Sequence, residues 1–221
     1  MQRNARPEAS YQVVREYRLY GGSSEQCASD VLAEIQYGPP GSETFAIQQR
    51  TGSPRGEQVV RKILEHEVVL ANGDPESRSA TLLTRDNYDF TDLGQTVLEG
   101  QTYYLLGLMP KRKQKQKQLI IGRAWIDQSS FRVRRIEGQL AKSPSWLLKD
   151  VHVKLDFAER SGNSVQSTME ATADVRFIGT QILRSQMLDY RPTDSIAANT
   201  PARAQHMTHN IPAELMFRTT K

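Results

Sequence analysis

Strict two-residue alternation over the second half of this chain restricts its fold more than any other feature. Val151, Val153, Leu155 and Phe157 alternate with His152, Lys154 and Asp156. After the turn Ser161-Gly162-Asn163, the residues Met169, Ala171, Ala173, Val175 and Phe177 alternate with Glu170, Thr172, Asp174 and Arg176. Successive side chains of a strand point to opposite faces, so the pattern describes strands with one covered face and one wet face. Antiparallel sheets commonly have that character. Gly179-Thr180 turns the chain again, and residues 182–190 close the series.

The same reading extends upstream. Tyr11, Val13, Tyr17 and Leu19 share one strand face, with Arg15 as the exception on it. Val31, Ala33, Ile35 and Tyr37 share the next, and Gly38-Pro39-Pro40-Gly41 is a strong turn signal before a third strand at Phe45 and Ile47. From Tyr88 onward the expected strands run over 96–99, 102–109, 119–127 and 131–140, with Asp127-Gln128-Ser129-Ser130 as a turn.

One segment changes period. Ser53 is a capping residue and Pro54 suits a first helical position. Val60, Ile63, Leu64, Val68 and Ala71 form one apolar stripe, and Asn72-Gly73-Asp74-Pro75 stops it. The spacing predicts a helix over 54–71, with a shorter one over 76–85.

Composition narrows the function. The net charge is +4, but five positive charges lie in the run Lys111-Arg112-Lys113-Gln114-Lys115-Gln116-Lys117. The basic character is therefore local, and nucleic acid is not an expected partner, since the run has no aromatic residue for bases to stack on. A solvated hairpin tip and a contact with anionic lipid headgroups both fit it. Cys27 is the sole cysteine, so no internal disulfide forms and no Cys-based metal site is built. The histidines, His66, His152, His206 and His209, have no partner at a metal-ligand spacing. No phosphate loop or nucleophile motif is present, so neither a catalytic residue nor a cofactor is expected. The chain starts without an export-signal pattern and has no apolar run long enough for a membrane helix. A cytoplasmic protein and an exported domain both fit.

One helix, or two, is little material to cover about ten strands. A sheet of that width must curl or stay partly bare. Its covered face is either a packed core or the wall of a lidded cavity for an apolar ligand. Trp125, in mid-strand, reads as core. Trp146, after Pro144, either plugs one end of the sheet or forms part of a mouth.

Three stretches carry a family resemblance. They are Tyr104-Leu105-Leu106-Gly107-Leu108-Met109-Pro110-Lys111, Gly122-Arg123-Ala124-Trp125-Ile126-Asp127 and Arg134-Arg135-Ile136-Glu137-Gly138. Ala141-Lys142-Ser143-Pro144-Ser145-Trp146 and Val175-Arg176-Phe177-Ile178-Gly179 add to it. With these, residues 86–190 resemble the outer-membrane lipoprotein-sorting proteins, relatives of the LolA/LolB lipoprotein carriers. The resemblance implies an unclosed antiparallel β-barrel with helices as a lid. It also implies an apolar cavity for acyl chains and a place in the periplasm or at the outer membrane.

The expectation is a mainly β (α+β) fold: a large curved antiparallel sheet, covered on its concave face by one or two helices. Residues 1–10 are expected to be frayed, 11–190 to form the domain, and 191–221 to form a tail or extended arm. The expected function is a non-catalytic carrier or binding protein for lipids or lipid-anchored proteins, acting as a monomer. Its partners would be acyl chains, with a membrane surface or envelope proteins in addition. The expected wall residues are Leu106, Leu108, Ile121, Val153, Leu155, Phe157, Val175 and Phe177, with Val60, Ile63 and Leu64 as the lid. Each strand remains free to flip as a set. The alternative is an envelope interaction module with a filled core, using a sheet edge or the tail. A dispersed hydrolase site is a third reading, with no motif in its favour.

Overall fold

The computed structural model describes residues 10–21, 26–38, 41–111, 119–143 and 146–193. Residues 1–9 and 194–221, and with them most of the expected fray and tail, lie outside the described residues, as do the basic residues 112–117. Ten strands form one antiparallel sheet. They are β1 (Tyr11–Gly21), β2 (Cys27–Gly38), β3 (Ser42–Gly52), β4 (Tyr88–Leu98), β5 (Gln101–Pro110), β6 (Ile120–Asp127), β7 (Val133–Leu140), β8 (Leu148–Arg160), β9 (Asn163–Val175) and β10 (Gly179–Pro192). Their order is β3-β2-β1-β10-β9-β8-β7-β6-β5-β4. The first and last strands therefore pair inside the sheet, third and fourth from the β3 edge, where Tyr17 pairs with Ser185 and Leu19 with Leu183. The sheet is not closed: among the described residues, β3 and β4 pair on one side only.

Helix α1 spans Pro54–Ala71, as its spacing predicts, and α2 spans only Pro75–Ser79. The Ser53 hydroxyl accepts from the Arg55 amide at 3.2 Å, and Pro54 opens the first turn. Three contacts seat α1 on the β2–β3 end of the sheet. Gly56 presses against Ser29 so closely that a Cβ there would collide with the serine side chain. Glu57 accepts from Arg61 at 2.7 Å and from Arg50 of β3 at 2.5 Å, and these bonds hold its carboxyl below the usual range. At the other end of the helix, the Asn72 amide exchanges two hydrogen bonds with the backbone of Glu43, at 2.7 and 2.9 Å.

Two apolar clusters lie on the covered face. The first joins Val60 and Leu64 of α1 to Tyr11, Val13, Tyr17, Val31, Ala33, Ile35, Val165 and Leu183, with Ile63 packed at its side. The second joins Tyr88, Leu108, Leu119, Ile120, Ala124, Ile126 and Ile136. The other face carries ion pairs instead, including Arg18 with Glu16 and Asp30, Arg184 with Glu170, and Arg135 with Asp156. Trp125 belongs to that other face. It is paired with Leu105 and Arg135 and is half-buried, so the expectation that it is core is corrected. The cause is parity: Ala124 and Ile126 point inward, so the residue between them points out.

Between the second cluster's strands, Gly122 pairs with Gly138. A Cβ on Gly122 would collide with the Glu137 carbonyl, and one on Gly138 with the Ile121 carbonyl. The two backbones approach each other where no side chain fits. Gly138→Ala is expected to cost more than about 2 kcal/mol, because neither carbonyl moves without breaking the ladder. Urea denaturation of the variant beside the native protein checks this, and an unchanged midpoint would show that the strands give way freely.

Candidate functional site

The apolar hollow of this fold sits on the β4–β7 half of the covered face. Its volume is about 290 Å³, and Leu83, Phe90, Tyr104, Leu106, Ala124, Ile126, Phe131 and Val133 line it with Asp92. That volume lies at the lower end of the range for ligand pockets. The register explains the wall: Asp92 pairs with Leu106, Leu106 with Ala124, and Ala124 with Ile136, which puts one row across four strands. Ala124 is the small residue in that row, and its short side chain leaves the floor low.

The cover over this half is not α1, which rests on β2 and β3. It is the chain after α2. Asn87 is buried and donates to the carbonyls of Ser79 and Leu82, both at 2.8 Å, while its own carbonyl accepts from Lys111. These bonds fold the 79–87 segment back over the sheet and bring Leu83 onto the hollow. The Tyr88 hydroxyl accepts from the Ile120 amide at 3.0 Å, tying β4 to the start of β6 across β5.

The mouth lies at the β6–β7 turn. Phe131 stacks on Tyr104, with ring centroids 6.2 Å apart, and is itself largely exposed. Its φ of 54° is a left-handed conformation that a bulky residue adopts only under constraint. The constraint is Asp127. One carboxylate oxygen accepts from the amides and hydroxyls of Ser129 and Ser130 at 2.6–3.0 Å, and the Asp127 carbonyl accepts from the Phe131 amide. The serine hydrogen bonds hold the Asp127 carboxyl down to about 2.

The residues expected from sequence separate into groups. Leu106 and Leu108 lie on the covered face beside Val153, Leu155 and Phe157, all in or against the second cluster. Leu106 lines the 290 Å³ hollow. Val60, Ile63 and Leu64 pack in the first cluster and do not cover that hollow. Val175 is buried at the end of β9 and belongs to neither cluster. Ile121 pairs with Gln139 on the opposite face and is 42% exposed. Phe177 lies in the β9–β10 turn with φ 71° and is 90% exposed. Neither Ile121 nor Phe177 is part of the covered wall. Trp146 is 59% exposed at the same end as Phe177, with the Arg176 guanidinium 5.8 Å from its ring centre. It plugs nothing.

Leu83, Asn87 and Phe131 were not singled out from sequence. Leu83 falls in the stretch 76–85 that reads as a short helix, whereas α2 ends at Ser79, and Phe131 reads as the first residue of a strand. A hollow of about 320 Å³ on the opposite face is lined mainly by Glu16, Arg18, Lys154, Asp156, Glu170 and Arg184. Its walls are the ion-paired, wet side of the sheet, so it is a solvated groove. Among the described residues, no helix is long and apolar enough to cross a membrane.

No protein-family model and no curated protein matches the chain. Solved structures do. An outer membrane lipoprotein-sorting protein domain from Vibrio parahaemolyticus is 14% identical, with a TM-score of 0.46, over 89% of this chain and 92% of that one. A LolA superfamily protein from Nitrosomonas europaea is 15% identical, with a TM-score of 0.42, over 87% and 90%. Lipovitellin, in a structure describing its lipid–protein interactions, is 10% identical, with a TM-score of 0.41, over 90% of this chain and 27% of its own. The first two belong to the group that the sequence motifs resemble.

Asp127 supplies a test of the mouth. A depressed carboxyl stabilises the fold above its unfolded value, 3.8, and that contribution is lost as pH falls through about 2. Asp127→Asn is therefore expected to melt below the native protein at pH 7, with the gap narrowing steadily from pH 4 to pH 2. Melting curves across that range check it. A gap that stays constant would show that the charge plays no part.

Proposed function

We propose that this protein carries or binds lipids or the acyl chains of lipid-anchored proteins, in the bacterial envelope, as part of outer-membrane lipoprotein sorting. The observation that carries this reading is the 290 Å³ apolar hollow on a sheet face that the long helix leaves uncovered. An acyl chain gains roughly 0.8 kcal/mol per methylene on leaving water. A hollow of this kind needs no reactive group to hold one. The floor at Ala124 and Leu106 would lie along the chain, and Phe131 and Tyr104 would flank its exit. Leu83 would be displaced or would pack on the bound chain, since the segment bearing it is short and hangs on Asn87. The periplasm follows from this cargo, and so does the absence of chemistry. The motif resemblance supports both.

The test uses dodecanol and a monoacylated lipopeptide. Both should bind the full chain and raise its melting temperature, since a ligand at about 100 times its Kd adds roughly 2.7 kcal/mol. Ala124→Leu fills the floor and should weaken both by about ten-fold or more. Phe131→Ala, at an exposed position, should weaken them without lowering the melting point of the empty protein. Native protein that gains no stability from either ligand would end the carrier reading.

A further inference from the structure

Arg15 is the one residue that breaks the apolar face of β1, and the structure buries it. Only 6% of its surface is exposed. Its guanidinium donates to the Ser185 hydroxyl at 3.2 Å and to the Gln166 carbonyl at 2.5 Å. Both acceptors are neutral. A guanidinium has five N–H donors, and among the described residues it makes these two hydrogen bonds and no ion pair. A buried charge with only neutral acceptors is costly.

The guanidinium borders a second hollow, of about 230 Å³, on the same covered face. Tyr11, Tyr17 and Tyr37 line one side of it, and Phe157, Val165 and Met169 line another. Burial raises the hydroxyls of Tyr17 and Tyr37 above the usual phenol range, so both remain O–H donors. Phe157 also packs against the apolar cluster of the other half, so this hollow adjoins that cluster. Glu67 of α1 lines the cavity too, and its carboxyl is raised by burial and lowered by Arg15. Glu43 of β3 is the other carboxylate acting on these tyrosines.

We propose that the cavity around Arg15 binds an anionic head, a carboxylate or a phosphate monoester, of the amphiphile that this protein carries. The site rests on the carrier reading for its ligand and extends it to a choice among lipids. The guanidinium N–H groups match an anion with several acceptor oxygens, and the adjoining apolar wall receives the start of the chain. Glu67 faces the site and tunes it: ionised, it opposes an anion, and protonated, it does not.

Lauric acid, dodecyl phosphate and dodecanol share one chain and differ in the head, and titration calorimetry at pH 8 on the full chain compares them. The two anions should bind the native protein about ten-fold more tightly than the alcohol, as charge-assisted hydrogen bonds imply. Whichever anion binds more tightly identifies the source, free fatty acid or phospholipid-like phosphate. Arg15→Met should remove the preference and keep alcohol binding within two-fold of native. It should also raise the melting temperature of the empty protein, whereas a purely structural arginine would leave it lower. Glu67→Gln should tighten both anions and leave the alcohol unchanged, which gives a gain of binding should Arg15→Met fail to fold. Equal binding of all three ligands overturns the anion site and leaves the carrier reading standing. Preference retained in Arg15→Met, or no effect of Glu67→Gln on the anions, also overturns it. If no amphiphile binds but inorganic phosphate stabilises the native protein and not Arg15→Met, the anion site stands and the carrier reading falls. If none of these binds, both fall.

Discussion

The structure depends on a mismatch of areas. A helix is about 10 Å across with its side chains, and neighbouring strands are about 4.8 Å apart. One helix therefore covers two or three strands, and this sheet has ten. Helix α1 covers the β2–β3 end and is fastened there at Gly56, Glu57 and Asn72. The remaining strands had to find other cover or leave apolar surface partly bare. The short segment hung on Asn87 supplies some, and the hollow is what remains.

That division gives the covered face two characters. Towards α1 the face holds the smaller hollow, with a buried cation, three tyrosines and two carboxylates in or near its walls. Beyond β8 the packing is apolar and roomier, floored by Ala124 and Leu106. Phe157 stands between them. A ligand with a polar end and a greasy end would find complementary surroundings across one continuous face. A purely apolar ligand would find them on one side alone.

Much of the fold was legible because two signals were clean. The helix limits followed from Ser53, Pro54 and the Asn72-Gly73 stop, and the structure repeats them to the residue. The alternation of β8 and β9 fixed their inward sets, including Val153, Leu155 and Met169. Legibility failed where the pattern is double-valued. Ile120 and Ile121 are both apolar, so sequence alone chooses no face, and the choice of Ile121 was the wrong one. Phe177 continues the alternation of β9 perfectly, yet the pairing of Val175 with Gly179 ends the strand before it. That decision is made by the partner strand, not by the local sequence. Arg15 is the opposite case: it broke its pattern visibly, but the charge gave no sign of whether the strand or the environment would yield.

Among the described residues β3 and β4 are the two edges of the sheet, and this has a mechanical consequence. In a closed barrel the bore is set by strand number and shear, and it changes only if the ring is cut. Here the ladder has two ends, so a small change in twist between successive strands alters the depth of the trough while every hydrogen bond survives. The depth of such a trough is thus elastic rather than fixed by its topology.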